Sequence, residues 1–452
     1  MTSENKLATE KIGKLLWTYT LPAIIGTVVM SLYNIVDRIF IGQGVGPLAI
    51  SGLALTFPFM NMLLAFGMLI GAGSAARISI TLGENDKQKA ERILANAVTL
   101  TFLISGSVII LSLVFMDDLL TLFGGTEKTI KYAYDYMIVI VPGGIFTALY
   151  FGMNNILRSS GYPKSAMNNI LLGAIINIIL DPIFIFVFKW GIQGAAIATV
   201  ISYFIGTVNV LFHFFQKTSN LRFHAANFKL QKDIVNSILS IGMSPFSMQM
   251  GATLVVIIIN TTLLKYGGDL AIGAYGILNS LMMLVIMFII GLNQGAQPIV
   301  GFNYGAGNYE RMFKTLKYTV IIGTILSTTG FLLGTLLPDI SVSLFTTDSE
   351  LKQISANALR IAVMMFPIVG FQIVTANFFQ SIGMAKISIF LGLTRQFIFL
   401  IPAIFILPLF WGLNGAWAAM PVSDGLASIV SAITFMLFYK RFKKAHPVIS
   451  DK

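Results

Sequence analysis

The sequence contains no cysteine, only three histidines (His213, His224 and His446), and just 11% charged residues. Without cysteine there are no disulfides, no thiolate chemistry and no cysteine metal sites. The histidines lie near or within basic segments, which argues against a histidine metal site. Soluble domains carry roughly 25% charged residues, so this chain has less than half the usual solvating surface. A soluble enzyme, a disordered chain and a nucleic-acid binder are excluded. No Ser/His/Asp set, HExxH helix or nucleotide motif occurs. Gly42, Gly44 and Gly46 imitate a phosphate loop, but no Walker lysine accompanies them. Energy for any transport must therefore come from an ion gradient or from another subunit.

What the sequence does have is apolar length. Hydrophobic types make up 56% of 452 residues. Runs of about 20 apolar residues, each enough to cross the ~30 Å hydrocarbon core as a helix, recur twelve times. They lie near 15–41, 48–78, 93–115, 134–157, 164–188, 193–215, 237–264, 270–302, 315–336, 357–380, 386–409 and 415–438. Barrel strands are excluded, because their signature is about ten residues of alternation and these runs are continuous. The first run follows Lys6, Lys11 and Lys14 like a signal peptide. It is too long for a secretory h-region and holds Asp37, so it reads as a retained span. The reading is an all-α integral membrane protein of twelve transmembrane helices.

The net charge of +11 is distributed unevenly. With the N-terminus on the cytoplasmic side, the outer loops carry only Lys128, Lys131, Lys189, Lys265, Lys352 and Arg360, and Arg38 and Arg395 fall within spans. The remaining lysines and arginines are cytoplasmic. This positive-inside bias places both termini in the cytoplasm.

An internal repeat organises the chain. At a shift of 222 residues, Leu48-Ala49-Ile50 falls on Leu270-Ala271-Ile272, Gly73 on Gly295, Gly83 on Gly305, Asn155 on Asn377, Ser159 on Ser381, Gly161 on Gly383 and Lys164 on Lys386. One residue fewer brings Trp190-Gly191-Ile192-Gln193-Gly194-Ala195 onto Trp411-Gly412-Leu413-Asn414-Gly415-Ala416. Each unit has an even number of spans, so the two enter from the same side and form parallel six-helix bundles. The expected division is a first lobe at 1–215, a basic linker at 216–236, a second lobe at 237–438 and a basic tail at 439–452.

Ionisable residues inside spans are costly and mark function by default. In the first half these are Asp37, Arg38 and Asp181. Met30, Tyr33 and Asn34 precede Asp37 at spacings that place them on or beside its helical face, as candidate substrate-cavity residues. Asn177 and Asp181 are i and i+4 on one helix. Pro182 lacks an N–H and frees the carbonyl of Ile178, giving an oxygen-rich site suited to a proton or a hard cation such as Na⁺. Depth along the spans brings Thr199 and Tyr136 to the same level. The blander reading pairs Asp37 with Arg38 and leaves Asp181 to cap a kink. The second half does not repeat the acids: Asn260 stands opposite Asp37 and Ile401 opposite Asp181. It has Arg395 and Asp424 near mid-span, read as an ion pair or as a gating or substrate contact. Methionines such as Met243, Met248, Met282, Met287 and Met365 could line an adaptable pocket, or face lipid and fill core.

The motifs Tyr33-Asn34-Ile35-Val36-Asp37, Leu157-Arg158-Ser159-Ser160-Gly161-Tyr162-Pro163-Lys164, Asn177-Ile178-Ile179-Leu180-Asp181-Pro182 and Gly191-Ile192-Gln193-Gly194-Ala195-Ala196 resemble the multidrug and toxic compound extrusion (MATE) transporters, in the bacterial branch of MepA- and DinF-type proteins. The resemblance runs through essentially the whole chain. It implies two six-helix lobes forming a V, an inter-lobe cavity, and export of bulky, often cationic drugs coupled to H⁺ or Na⁺, with no cofactor and no enzymatic activity. It also implies a monomer in the bacterial cytoplasmic membrane, with lipid, organic cations and other small-molecule drugs as partners. The family's cation-site positions match Asp37, Tyr136, Asn177, Asp181 and Thr199, and Asn154 matches a cavity-facing position. In one branch acids of the second lobe bind the cation, and this chain has no evident counterparts. Two other readings stay open: a lipid-linked flippase of the same superfamily, and an intramembrane enzyme.

Overall fold

The computed structural model describes residues 3–123, 126 and 128–446. Twelve long helices account for most of it. In chain order they are α1 (Ile12–Gly44), α2 (Pro47–Gly83), α3 (Lys87–Val114), α4 (Ile130–Ser159), α5 (Pro163–Pro182, continued by a π-helical turn at Ile183–Val187) and α6 (Gly191–Phe215). The second half has α7 (232–267), α8 (269–305), α9 (Tyr309–Leu336) and α10 (Ser349–Ala362 with Phe366–Ser381). It ends with α11 (385–411) and α12 (413–445). No strand occurs among the described residues. The helical solution is forced, since lipid offers no hydrogen-bond partner and each backbone N–H must find a carbonyl within its own segment.

The sequence repeat reappears in the backbone. Positive φ occurs at Gly46 and Gly268, Asn85 and Gly307, Gly161 and Gly383, and Gly191 and Gly412, each pair at the shift found in the sequence. These are the sharp turns between spans, where a left-handed residue lets the chain reverse and where glycine carries no Cβ penalty. The short helices Met116–Leu122 and Pro338–Ser343 follow the same shift. So does a side-chain clasp: Gln193 donates to Asp135 (3.1 Å) in one half, and Asn357 donates to Asn414 (3.0 Å) in the other.

The structure departs from the apolar runs in three ways. Helices extend beyond their hydrophobic limits, so that α7 begins at Lys232, inside the segment read as linker, and α12 continues to Ala445. The span expected at 357–380 is two helices bent by 57°. Both α5 and α11 contain π-helical stretches, Ile183–Val187 and Thr394–Leu400, beside Pro182 and Pro402. Hydropathy reports only how long a segment stays apolar. It says nothing of where proline disturbs the hydrogen-bond ladder.

The two lobes meet at the end of the molecule that holds Leu7 and His446. Arg311 in the first turn of α9 donates to the carbonyls of Leu7 (3.1 Å) and Glu10 (2.7 Å), and Tyr309 packs its ring on His446. Here the helices touch backbone to backbone. A Cβ on Gly73 would overlap the carbonyl of Ile238, and one on Gly242 the carbonyl of Leu69. Gly83 and Gly305 are likewise pressed on the carbonyls of Phe302 and Ile80, and Gly295 on Thr20. Gly73/Gly295 and Gly83/Gly305 are repeat partners, so the seam follows the internal pseudo-symmetry. Small residues allow this approach in a membrane, where packing rather than water expulsion joins helices.

Candidate functional site

The first lobe gathers its polar side chains where α1, α4, α5 and α6 converge. Asp37 on α1 is buried (8% exposed) and Asp181 on α5 is fully buried (0%). The two carboxyls lie close enough for each to act on the other's charge. Two carboxyls close together in a low-dielectric interior cannot both ionise cheaply. Asn177, one turn before Asp181, donates through Nδ2 to Asp181 Oδ1 and to Thr199 Oγ1 on α6, both at 3.3 Å. The hydroxyl of Tyr136 on α4 lies in the field of both carboxyls.

After these bonds are counted, three oxygens remain. Asp37 Oδ1, Asp181 Oδ2 and Asn177 Oδ1 are buried without a hydrogen-bond partner. Leaving one buried polar atom unsatisfied costs about 1–3 kcal/mol, and more when it is charged. A cluster of orphaned oxygens is thus a built acceptor set for a proton or for a hard monovalent cation. Beside it Tyr33, Tyr150, Asn177, Thr199, Ser202 and Tyr203 enclose a cavity of about 10 Å³, close to the room one water molecule needs. Among the described residues no group of His, Cys, Asp and Glu has the makings of a divalent-metal site.

Asp37, Tyr136, Asn177, Asp181 and Thr199 are thus brought together. Arg38 turns away from Asp37 and lies over the ring of Phe57 at 4.6 Å; no ion pair joins it to Asp37 among the described residues. The expected cavity residues divide. Asn34 is exposed and Met30 half-buried, while Tyr33 is buried and hydrogen-bonds the hydroxyl of Tyr203, which ties it to the acid cluster. Asn154 departs from the expectation. It is buried (3% exposed) and donates to the Tyr150 carbonyl (2.7 Å). Its Oδ1 accepts from Asn169, whose own Oδ1 accepts from Asn209. This amide ladder ties α4, α5 and α6 together, so Asn154 is absorbed by its neighbours and does not face a cavity.

Tyr203 is the residue that sequence reasoning missed. A tyrosine among many aromatics gives no composition signal. Its spacing does: Thr199 and Tyr203 are i and i+4 on α6 and share a face. In the second lobe Arg395 Nε donates to Asp424 Oδ1 at 2.5 Å.

Comparison with known proteins follows the same lines. The MatE family model matches residues 22–183 and 235–406, one match in each half. The multidrug export protein MepA of Staphylococcus haemolyticus (strain JCSC1435) is 26% identical over 427 residues, 94% of either chain. MepA of Staphylococcus aureus (strain MSSA476) is 27% identical over 431 residues, 95% of either chain. Among solved structures, the outward-facing conformation of a multidrug resistance MATE family transporter of the MOP superfamily superposes with a TM-score of 0.92 at 24% identity, covering 98% of this chain and 99% of that one. A MATE in the bent conformation gives a TM-score of 0.93 at 24% identity, with the same coverage. The fold is the V-shaped fold of those transporters. With both halves matched by the family model and the repeat carried through sequence and backbone alike, this multi-pass membrane chain belongs to the MatE family of transporters.

Proposed function

We propose that this protein exports bulky organic drugs from a bacterial cell by alternating access, and that H⁺ or Na⁺ entering through the first lobe drives the export. The observation that carries this reading is the set of orphaned oxygens on Asp37, Asp181 and Asn177. Membership in a transporter family removes the intramembrane-enzyme reading. The names of the MepA relatives supply the substrate class. The surplus of lysine and arginine on the side of the chain ends supports placing both ends in the cytoplasm. The seam of Gly73, Gly83, Gly242, Gly295 and Gly305 then closes the cytoplasmic side.

Coupling follows from differential binding, since a ligand shifts a two-state equilibrium only by as much as it prefers one state. A cation arriving from outside satisfies the orphaned oxygens and draws α1 toward α5 at Asp37. This narrows the first lobe's side of the cavity and releases drug outward. The second lobe acts as wall and rocking partner, because it has Asn260 and Ile401 where the first lobe has Asp37 and Asp181. The test is purified protein in liposomes loaded with a fluorescent organic cation, with an H⁺ or a Na⁺ gradient imposed separately. Efflux driven by either gradient is the expected result. Efflux that needs neither, or ion flux that drug does not stimulate, refutes the coupling.

A further inference from the structure

The second lobe holds one charged pair that the coupling scheme does not use. Asp424 on α12 is fully buried (0% exposed), and its Oδ2 has no hydrogen-bond partner. It holds Arg395, on the π-helical stretch of α11, by a single bond from Nε (2.5 Å). A pair serving only to neutralise itself favours the bidentate fork, with both carboxylate oxygens engaged. Here the two Nη nitrogens make no hydrogen bond among the described residues, and the Arg395 side chain is 27% exposed. A charged group in a span faces the bundle interior or a water-filled space rather than lipid. The interior side of Arg395 is taken by Asp424, which leaves the other edge of the guanidinium without a partner.

The neighbours of Arg395 lie on the helices that meet the first lobe. The next residue, Gln396, donates to the Met248 carbonyl on α7 at 3.3 Å, and Tyr275 on α8 lies within the field of the guanidinium. Helices α7 and α8 are those through which the second lobe meets the first. The repeat adds a positional argument. At the shift that carries Gly191 onto Gly412, Tyr203 falls on Asp424, so the pair sits on the second lobe's version of the ground the first lobe gives to its polar cluster.

Resting on the export reading above, we propose that Arg395 is a substrate-binding residue that takes the carboxylate of a zwitterionic aromatic compound, with Asp424 as the positioning residue that fixes the guanidinium plane. The planar Nη fork offers paired donors at the spacing of a carboxylate. Its cost of ordering is already met by the bond to Asp424. A drug without an acidic group binds elsewhere in the cavity and does not depend on the fork.

Two dyes of one skeleton test this: rhodamine 110, which has a free carboxylate, and rhodamine 123, its methyl ester. Binding of each to purified full-length protein is read by fluorescence anisotropy. Arg395→Gln should weaken rhodamine 110 by about tenfold or more, as loss of a charge-assisted bidentate pair implies, and leave rhodamine 123 within about twofold. Because Arg395→Gln alone strands a buried carboxylate, the double variant Arg395→Gln/Asp424→Asn is measured beside it, with the same selective loss expected. Equal loss of both dyes, no loss of either, or a wild-type protein that binds only the ester overturns the proposal. A wild-type protein that binds neither dye refutes the export reading for this dye class and the proposal with it.

Discussion

Asn177 on α5 reaches Thr199 on α6 at 3.3 Å with the same amide nitrogen that it offers to Asp181. One side chain therefore ties the acid to the neighbouring helix, and its own carbonyl oxygen is left free and buried beside the carboxyls. The site is a bridge between helices, so occupancy by a cation is transmitted to helix positions rather than to one loop.

Replacing either acid by its amide should stop coupled export without unfolding the lobe. Asp37→Asn and Asp181→Asn keep size and hydrogen-bonding capacity but remove the charge that a cation must meet. The expected outcome is at least a tenfold fall in gradient-driven drug efflux from liposomes, with unchanged amounts of protein in the membrane. Normal efflux by well-expressed Asp37→Asn would remove that residue from the mechanism.

The lobes should respond unequally to parallel substitutions. Asn260 occupies the second-lobe position opposite Asp37, and its Oδ1 is also buried and unpartnered, yet Ile401 and not an acid stands opposite Asp181. Asn260→Ala should leave ion-to-drug coupling intact, whereas Asn177→Ala should impair it. Coupling ratios measured in the two variants decide the matter, and the reverse result would place the cation in the second lobe.

Outside pH should set the rate of efflux if the coupling ion is H⁺. Two neighbouring carboxyls in a low-dielectric interior cannot both ionise cheaply, so the pair titrates as a unit. Drug efflux is therefore expected to change between about pH 5 and 8, an interval spanning the upper tail of carboxyl pKa values in proteins. A flat profile together with stimulation by Na⁺ assigns the site to Na⁺; a flat profile without it contradicts the carboxyl pair as coupling group.

The glycine seam should control closure on the side of the chain ends. Gly242→Val and Gly83→Val each push a side chain into a carbonyl of the opposing helix, and overpacking of this kind costs about 1–3 kcal/mol. Because the clash exists only where the lobes touch, the variants should populate the state open on that side. Cysteines introduced there into this cysteine-free chain report it, through faster labelling by a membrane-impermeant maleimide in inside-out vesicles. Labelling equal to that of the parent protein, with the variant folded, rules out the seam as a gate.

Much of this architecture was written in one dimension. Span number, the parallel repeat and the mid-span acids are read directly, because lipid penalises any polar residue that function does not require. The i, i+4 spacing of Asn177 and Asp181 also gave their shared face, since a helix fixes that geometry locally. Other features needed the folded chain. Whether Asp37 turns toward Arg38 or toward Asp181 depends on how α1 leans on α5, and a sequence carries no interhelical angle. Asn154 looked free because its partner Asn169 lies on another helix, and Tyr203 looked ordinary because Tyr33 and Tyr150 do. The break in α10 and the π-helical turns of α5 and α11 depend on which neighbours re-satisfy the disturbed backbone. Sequence determined the number, order and internal symmetry of the helices through the energetics of single segments in lipid. Tertiary packing alone decided which buried oxygens were left without partners, because a hydrogen bond between helices exists only once both are in place.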